Sequence, residues 1–192
     1  TLDAQGIRDR TVSDMKATGT VLGSDLSENY VHALGDGSYT ITDNDYLVQS
    51  GTDTLIFVDV DPAGATFAQG ENEDLVITLS NGETVTVARH FAENGDNAIE
   101  IITFADGTTL DAQGIRDRTV SDMKATGAVL GSDLAENYVH ALGDGSYTIT
   151  DNDYLTQSGT DTLTFADVNA ADVTFSQGTG NDLIITLGNG EA

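Results

Sequence analysis

The strongest local pattern in the chain is the apolar, β-branched run Leu75-Val76-Ile77-Thr78-Leu79, which passes through Ser80-Asn81-Gly82-Glu83 into the alternating run Thr84-Val85-Thr86-Val87. Alternation with a period of two is the mark of a strand with one buried face. Asn-Gly between two such runs predicts a tight hairpin, because both central residues of a type I′ turn need positive φ. Similar runs rich in Val, Ile, Thr, Tyr and Phe are separated by Gly, Asp and Asn turns along the rest of the chain. They predict strands at Asn29 to Leu34, Ser38 to Thr42, Tyr46 to Val48, Thr54 to Val58, Ala65 to Ala68, Leu75 to Leu79, Thr84 to Arg89 and Ala98 to Phe104, with a second turn at Asp106-Gly107. Helix is expected to be minor: Asp111 to Met123 has a helical spacing at Ile115, Val120 and Met123, with Asp111 placed to cap and Gly114 counting against it.

The pattern repeats. Residues 1–84 align without a gap to residues 109–192, a period of 108, and 16 of the 84 aligned positions differ, 14 of them at or after Val48. Copies this similar point to recent duplication in a tandem array, so the differences carry more information than the identities. Asp61 becomes Asn169, Glu71 becomes Thr179 and Glu73 becomes Asn181, which makes these carboxylates poor candidates for a ligand needed in every copy. Turn signals divide the chain into the tail of a preceding unit (1–20), a complete unit (21–128) and part of a following unit (129–192). The expected architecture is all-β, built from β-roll or β-solenoid-like units, or β-sandwich units, of 108 residues with a minor helix at the joint. The last strand is expected to be poorly paired in isolation, or completed by a neighbour through strand addition.

Charge narrows the choice of function. Seven Lys and Arg stand against 32 Asp and Glu, a formal net charge of -25, so nucleic acid and anionic membranes are repelled. The 39% hydrophobic residues, set in β-type runs, allow a core, which places the carboxylates on turns and outer faces. They serve there either as a solubilising surface or as hard-oxygen ligands whose mutual repulsion Ca²⁺ relieves. Cysteine is absent, which excludes disulfides, thiolate metal sites and a Cys nucleophile. No run reaches the roughly 20 apolar residues of a membrane-spanning helix, so membrane insertion is not expected.

Ca²⁺ takes about 6–8 oxygen ligands, so a site needs several carboxylates gathered by turns. The candidates are Asp25, Glu28, Asp36, Asp43, Asp45 and Asp53, and their copies Asp133, Glu136, Asp144, Asp151, Asp153 and Asp161. The competing role for each is to cap a turn through its own backbone. His32 and His140 lie in an apolar strand and His90 beside Phe91, with no second base nearby, so they are expected to be satisfied or partly exposed rather than catalytic. Tyr30, Tyr39 and Tyr46 could form a sugar platform but at strand spacing are expected to pack. Arg8, Arg10, Arg116 and Arg118 are expected to pair with carboxylates at the joint between units.

The segment from Asp74 to Val87, continued by Ile99-Glu100-Ile101-Ile102-Thr103-Phe104-Ala105-Asp106-Gly107-Thr108, resembles the haemolysin-type calcium-binding related module of giant secreted bacterial proteins of the RTX type. Gly51-Thr52-Asp53-Thr54-Leu55-Ile56-Phe57 is similar to the strand that precedes it. The chain departs from the RTX pattern in having no intact G-G-x-G-x-D-x-U-x nonapeptide, only degenerate echoes at Gly23 to Tyr30 and Leu34 to Tyr39. The resemblance implies a β-roll-like fold, Ca²⁺, and a secreted or cell-surface setting reached by type I secretion. It implies a structural spacer of an adhesin or extracellular fibre, stacked on adjacent repeat units or on identical chains end to end. A glycan-binding adhesive module is the alternative. An enzyme is not expected, since no nucleophile-base pair or zinc motif is present.

Overall fold

The computed structural model describes residues 3–44, 51–92, 97–151 and 159–192. The predicted strand Tyr46 to Val48 and the candidates Asp45 and Asp153 lie outside them. Helix α1 (Ala4–Lys16) is followed by β1 (Thr20–Leu22), β2 (Asn29–His32), β3 (Tyr39–Thr42), β4 (Thr54–Phe57), β5 (Ala65–Gln69), β6 (Leu75–Leu79), β7 (Thr84–Val87), β8 (Ile101–Thr103) and β9 (Thr109–Leu110). Helix α2 (Ala112–Lys124) then opens the second copy, which continues as β10 (Ala128–Leu130), β11 (Asn137–His140), β12 (Thr148–Thr150), β13 (Thr162–Phe165), β14 (Val173–Gln177) and β15 (Leu183–Leu187).

Up to β4 the strands fall alternately into two sheets. The first sheet has the order β1-β3-β7-β6-β5 and the second β2-β4-β8-β9. β1, β3 and β7 pair in parallel, as do β2, β4 and β8, with Asn29 opposite Thr54 and Thr54 opposite Ile101. Each return from the first sheet to the second therefore stacks one loop above another on the same flank. The hairpin β5–β6 is inserted between β4 and β7 and joins the first sheet in antiparallel fashion.

The period-two pattern explains which faces are buried. Tyr39 and Ile41, Leu55 and Phe57, Tyr30 and His32, and Val85 and Val87 are buried on alternate positions, and they meet in one cluster with Phe67, Phe91, Ile102 and Phe104. Phe57 and Phe104 stack with ring centroids 5.6 Å apart. The second copy repeats the parallel pairs β10–β12 and β11–β13 and the antiparallel pair β14–β15. β15 pairs with β14 alone, whereas its counterpart β6 is flanked on both sides.

Sequence expectations are adjusted in four places. The strand read at Ala98 to Phe104 forms only over Ile101–Thr103, since the Ile99 N–H goes to His90 Nδ1 and the chain turns after Phe104, whose N–H bonds the Thr108 carbonyl. The hairpin at Ser80 to Glu83 is not type I′. Only Gly82 has positive φ, +86°, with its N–H on the Leu79 carbonyl and the Leu79 N–H on the Glu83 carbonyl, the geometry of a type I turn closed by a glycine bulge. The strand from Asn29 stops at His32 because Asp36 turns the chain, accepting the Ala33 N–H while its own N–H bonds the Ala33 carbonyl. The strand from Thr84 stops at Val87, since Arg89 takes positive φ and gives its N–H to Asp74. The helix at 112–124 forms despite Gly114, whose N–H bonds the Asp111 cap at 2.8 Å.

Candidate metal centre

One flank carries the connections from the first sheet to the second, of which residues 23–28, 43–44 and 51–53, and 88–92 and 97–100 are described. An acidic residue stands immediately before each strand of the second sheet, Glu28 before β2, Asp53 before β4 and Glu100 before β8. Because those strand starts are in register, the three acids form a ladder. The Glu28 N–H donates to Asp53 Oδ1 at 2.7 Å, and the Asp53 N–H to Glu100 Oε2 at 2.7 Å. Asp43, just past β3, is brought to the same place and accepts the Tyr30 hydroxyl at 3.0 Å.

Glu28, Asp43 and Asp53 each offer a carboxylate oxygen within 4.8 Å of the others, and the three side chains are 3%, 0% and 0% exposed. Ser24 donates to both Glu28 oxygens, from its hydroxyl at 2.5 Å and its N–H at 3.2 Å. Arg8 Nε lies 4.0 Å from Glu28. Gly23 makes the close approach possible: a Cβ there would fall 1.8 Å from Asp43 Oδ1 and 2.2 Å from the Tyr30 hydroxyl.

The second copy brings the counterparts Glu136, Asp151 and Asp161 together in the same way, with Glu136 buried, Asp161 half-buried and Asp151 exposed. Glu136 donates its N–H to Asp161 at 2.9 Å and accepts from the Ser132 hydroxyl, and Gly131 gives room to Asp151 and Tyr138. Burial pushes the Glu136 carboxyl up to about 7, with the charges of Asp151 and Asp161 adding to it. Burial likewise drives the Tyr30 and Tyr138 hydroxyls well above the usual phenol range, again reinforced by the neighbouring carboxylates. Ionised carboxylates this close and this dry repel one another, and a hard divalent cation with oxygen ligands removes that penalty. The donor set fits Ca²⁺: carboxylate oxygens only, from stacked turns.

The remaining candidates lie elsewhere. Asp36 is on the opposite flank in an ion pair with Lys16, which holds its carboxyl low although burial opposes this, and Asp144 repeats the pair with Lys124. Asp25 and Asp133 sit in the loops that carry Ser24 and Ser132 but outside the three-acid clusters, and Asp133 is buried where the copies meet. Glu100 escaped the sequence reading, although its position directly before a strand matches those of Glu28 and Asp53. So did Glu83, which accepts the N–H groups of Gly35 and Gly37 at 3.0–3.1 Å on the opposite flank. His32, His90 and His140 are buried rather than partly exposed. His90 Nδ1 accepts the Ile99 N–H, and burial lowers that imidazole to about 3. Tyr30 and Tyr39 are buried, which leaves neither ring available as a platform for sugars.

Residues 74–113 match the haemolysin-type calcium binding protein related domain. That stretch runs from β6 into the first residues of α2 and includes Glu100, so this part of the chain carries the module that the sequence resembles. No curated protein and no solved structure matches the chain significantly. No helix among the described residues is long and apolar enough to cross a membrane.

Proposed function

We propose, for a chain that carries a haemolysin-type calcium binding protein related domain, that each copy is a calcium-stabilised structural unit of a secreted bacterial surface protein, a spacer rather than an enzyme. The observation that carries this reading is the buried trio Glu28, Asp43 and Asp53, whose counterparts 108 residues later, Glu136, Asp151 and Asp161, gather in the same way although only Glu136 of them is buried. The parallel pairing of β1-β3-β7 and β2-β4-β8 supports treating each pair of strands as one coil of a roll, with calcium bridging successive turns. Low intracellular calcium then leaves an acidic, loosely folded chain suited to export, and calcium outside drives folding by binding the native state only. Units joined in series give an adhesin or fibre its reach.

A calcium titration tests this. A ligand at about 100 times its Kd adds about 2.7 kcal/mol, and for a chain of this size each kcal/mol moves the melting temperature by roughly 2–4 °C. Thermal melts followed by circular dichroism should therefore rise by about 5–10 °C from chelator to millimolar calcium. The gain should shrink in Asp43→Asn and again in Asp43→Asn/Asp151→Asn. An identical melt with chelator and with calcium ends the calcium reading.

A further inference from the structure

The joint between the two copies lies inside the chain, and the three-acid cluster of the second copy abuts it. Helix α2 runs along β5, the outermost strand of the first sheet. Asp122 accepts the Phe67 N–H at 2.9 Å, and Arg118 donates to the carbonyls of Ala65 at 2.8 Å and Pro62 at 3.1 Å. At the end of β5 the Gln69 N–H meets Met123 Sδ at 3.4 Å, and the Gln69 side chain reaches the loop 131–136 that follows β10. Ser132 and Asp133 of that loop are buried.

The same loop holds two of the three acids. The Gly131 N–H bonds the carbonyl of Thr150, the neighbour of Asp151, at 2.9 Å, and a Cβ on Gly131 would fall 2.3 Å from Asp151 Oδ1. Ser132 gives its hydroxyl to one Glu136 oxygen and its N–H to the other at 3.3 Å. The peptide group that links Gly131 to Ser132 is therefore bonded at both ends. Its N–H goes to Glu136, a member of the cluster, and its carbonyl accepts Gln69 Nε2 at 3.3 Å from the first copy. A trans peptide is planar, with N–H and C=O pointing in opposite directions, so a donor that fixes the carbonyl also fixes the N–H. Turning that plane over aims a carbonyl oxygen at the Glu136 carboxylate and leaves the Gln69 amide without its acceptor, and both changes are unfavourable.

We infer that Gln69 is a positioning residue for the metal centre of the second copy, supplied across the joint by the first copy. Gln69 does not touch the cation. It acts through the Gly131–Ser132 peptide, which orients the Glu136 carboxylate. Groups that orient a metal's ligands commonly change its affinity by about 10- to 100-fold, and a peptide interposed between Gln69 and the ligand places the effect at the low end. The coupling is reciprocal: a cation that draws Glu136 into place also holds the peptide toward Gln69, so binding in the second copy tightens its docking on the first. The inference rests on the calcium reading above.

Calorimetric titration of the full chain with calcium tests it. Asp43→Asn takes a carboxylate from the first cluster and leaves the second intact; Asp151→Asn does the reverse. In the Asp43→Asn background, Gln69→Met keeps the length of the side chain but lacks the donor, and it should weaken calcium binding by about tenfold. In the Asp151→Asn background the same change should leave the Kd within about twofold. With chelator present, the Ser132 amide should exchange at least about tenfold faster in Gln69→Met, which reads the peptide's hold on Glu136 without any metal. Asp122→Ala breaks a different bond across the same joint and should weaken calcium binding less than Gln69→Met does. A Kd unmoved by Gln69→Met, an equal loss in the two backgrounds, or an equal loss in Asp122→Ala overturns the inference and leaves the calcium reading standing. A chain that binds no calcium before any substitution removes that reading, and the inference with it.

Discussion

Glu136 holds the place in the second copy that Glu28 holds in the first and is about equally buried, and the first copy covers part of its loop. The Gln69 side chain donates to the Gly131 carbonyl, and Ser132 and Asp133 are buried beside it. Burial has raised the Glu136 carboxyl from an ordinary 4.5 to about 7, so between those values the folded chain holds a proton that the unfolded chain releases. The stability this group contributes is therefore fully present below about pH 4.5 and is lost as pH rises through about 7, on the order of 1–3 kcal/mol. Melting temperature measured in chelator should fall between pH 5 and pH 8, and Glu136→Gln should flatten part of that slope. Millimolar calcium should flatten it as well, because the cation favours the ionised carboxylate. A slope that is the same in Glu136→Gln as in the parent chain would falsify this account. The sequence placed Glu28, Asp43 and Asp53 among the candidates by residue type and nearness to turns. It could not single them out, because Asp43 and Asp53 reach Glu28 only through the parallel stacking of strands that are far apart in the chain. Glu100 was harder still, 47 residues from the backbone N–H it accepts.

At the level of elements, α2 does for β5 what a further strand does elsewhere in a sheet, and the repeat supplies its own control. Asp122 accepts an edge N–H of β5, whereas Asp14, in an identical helix, pairs only with Arg10 at the surface. Asp122→Ala leaves the Phe67 N–H without its acceptor and should cost about 1–3 kcal/mol, read from urea unfolding. Asp14→Ala, away from any such contact in the monomer, should change stability by no more than about 0.5 kcal/mol. Equal costs at the two positions would mean that the helix, and not its seat on the edge, determines the effect. Strands were legible wherever β-branched runs met Gly and Asp turns: β6 has the predicted ends and β3, β4 and β5 differ by a residue. The overshoots at Leu34 and Arg89 occur where side-chain carboxylates take the backbone N–H groups that a strand would have used. Asn81-Gly82 marked a hairpin correctly but not its turn type, which depends on the loop length between paired strands and not on the dipeptide alone.

Across the whole molecule, near-identical sequences reach different degrees of burial. Leu55, Phe67 and Leu75 are buried, while Leu163, Phe175 and Leu183 are exposed. The reason is topological: in the first copy β7, β8 and α2 pair with or pack on the strands that carry these residues. The 108-residue period was visible in the sequence, but this asymmetry was not, because it depends on which later strands insert between earlier ones. Protection against hydrogen exchange should follow it. The amides of β4 and β6 should open only with the first copy as a whole, and those of β13 and β14 should exchange at least about 100-fold faster.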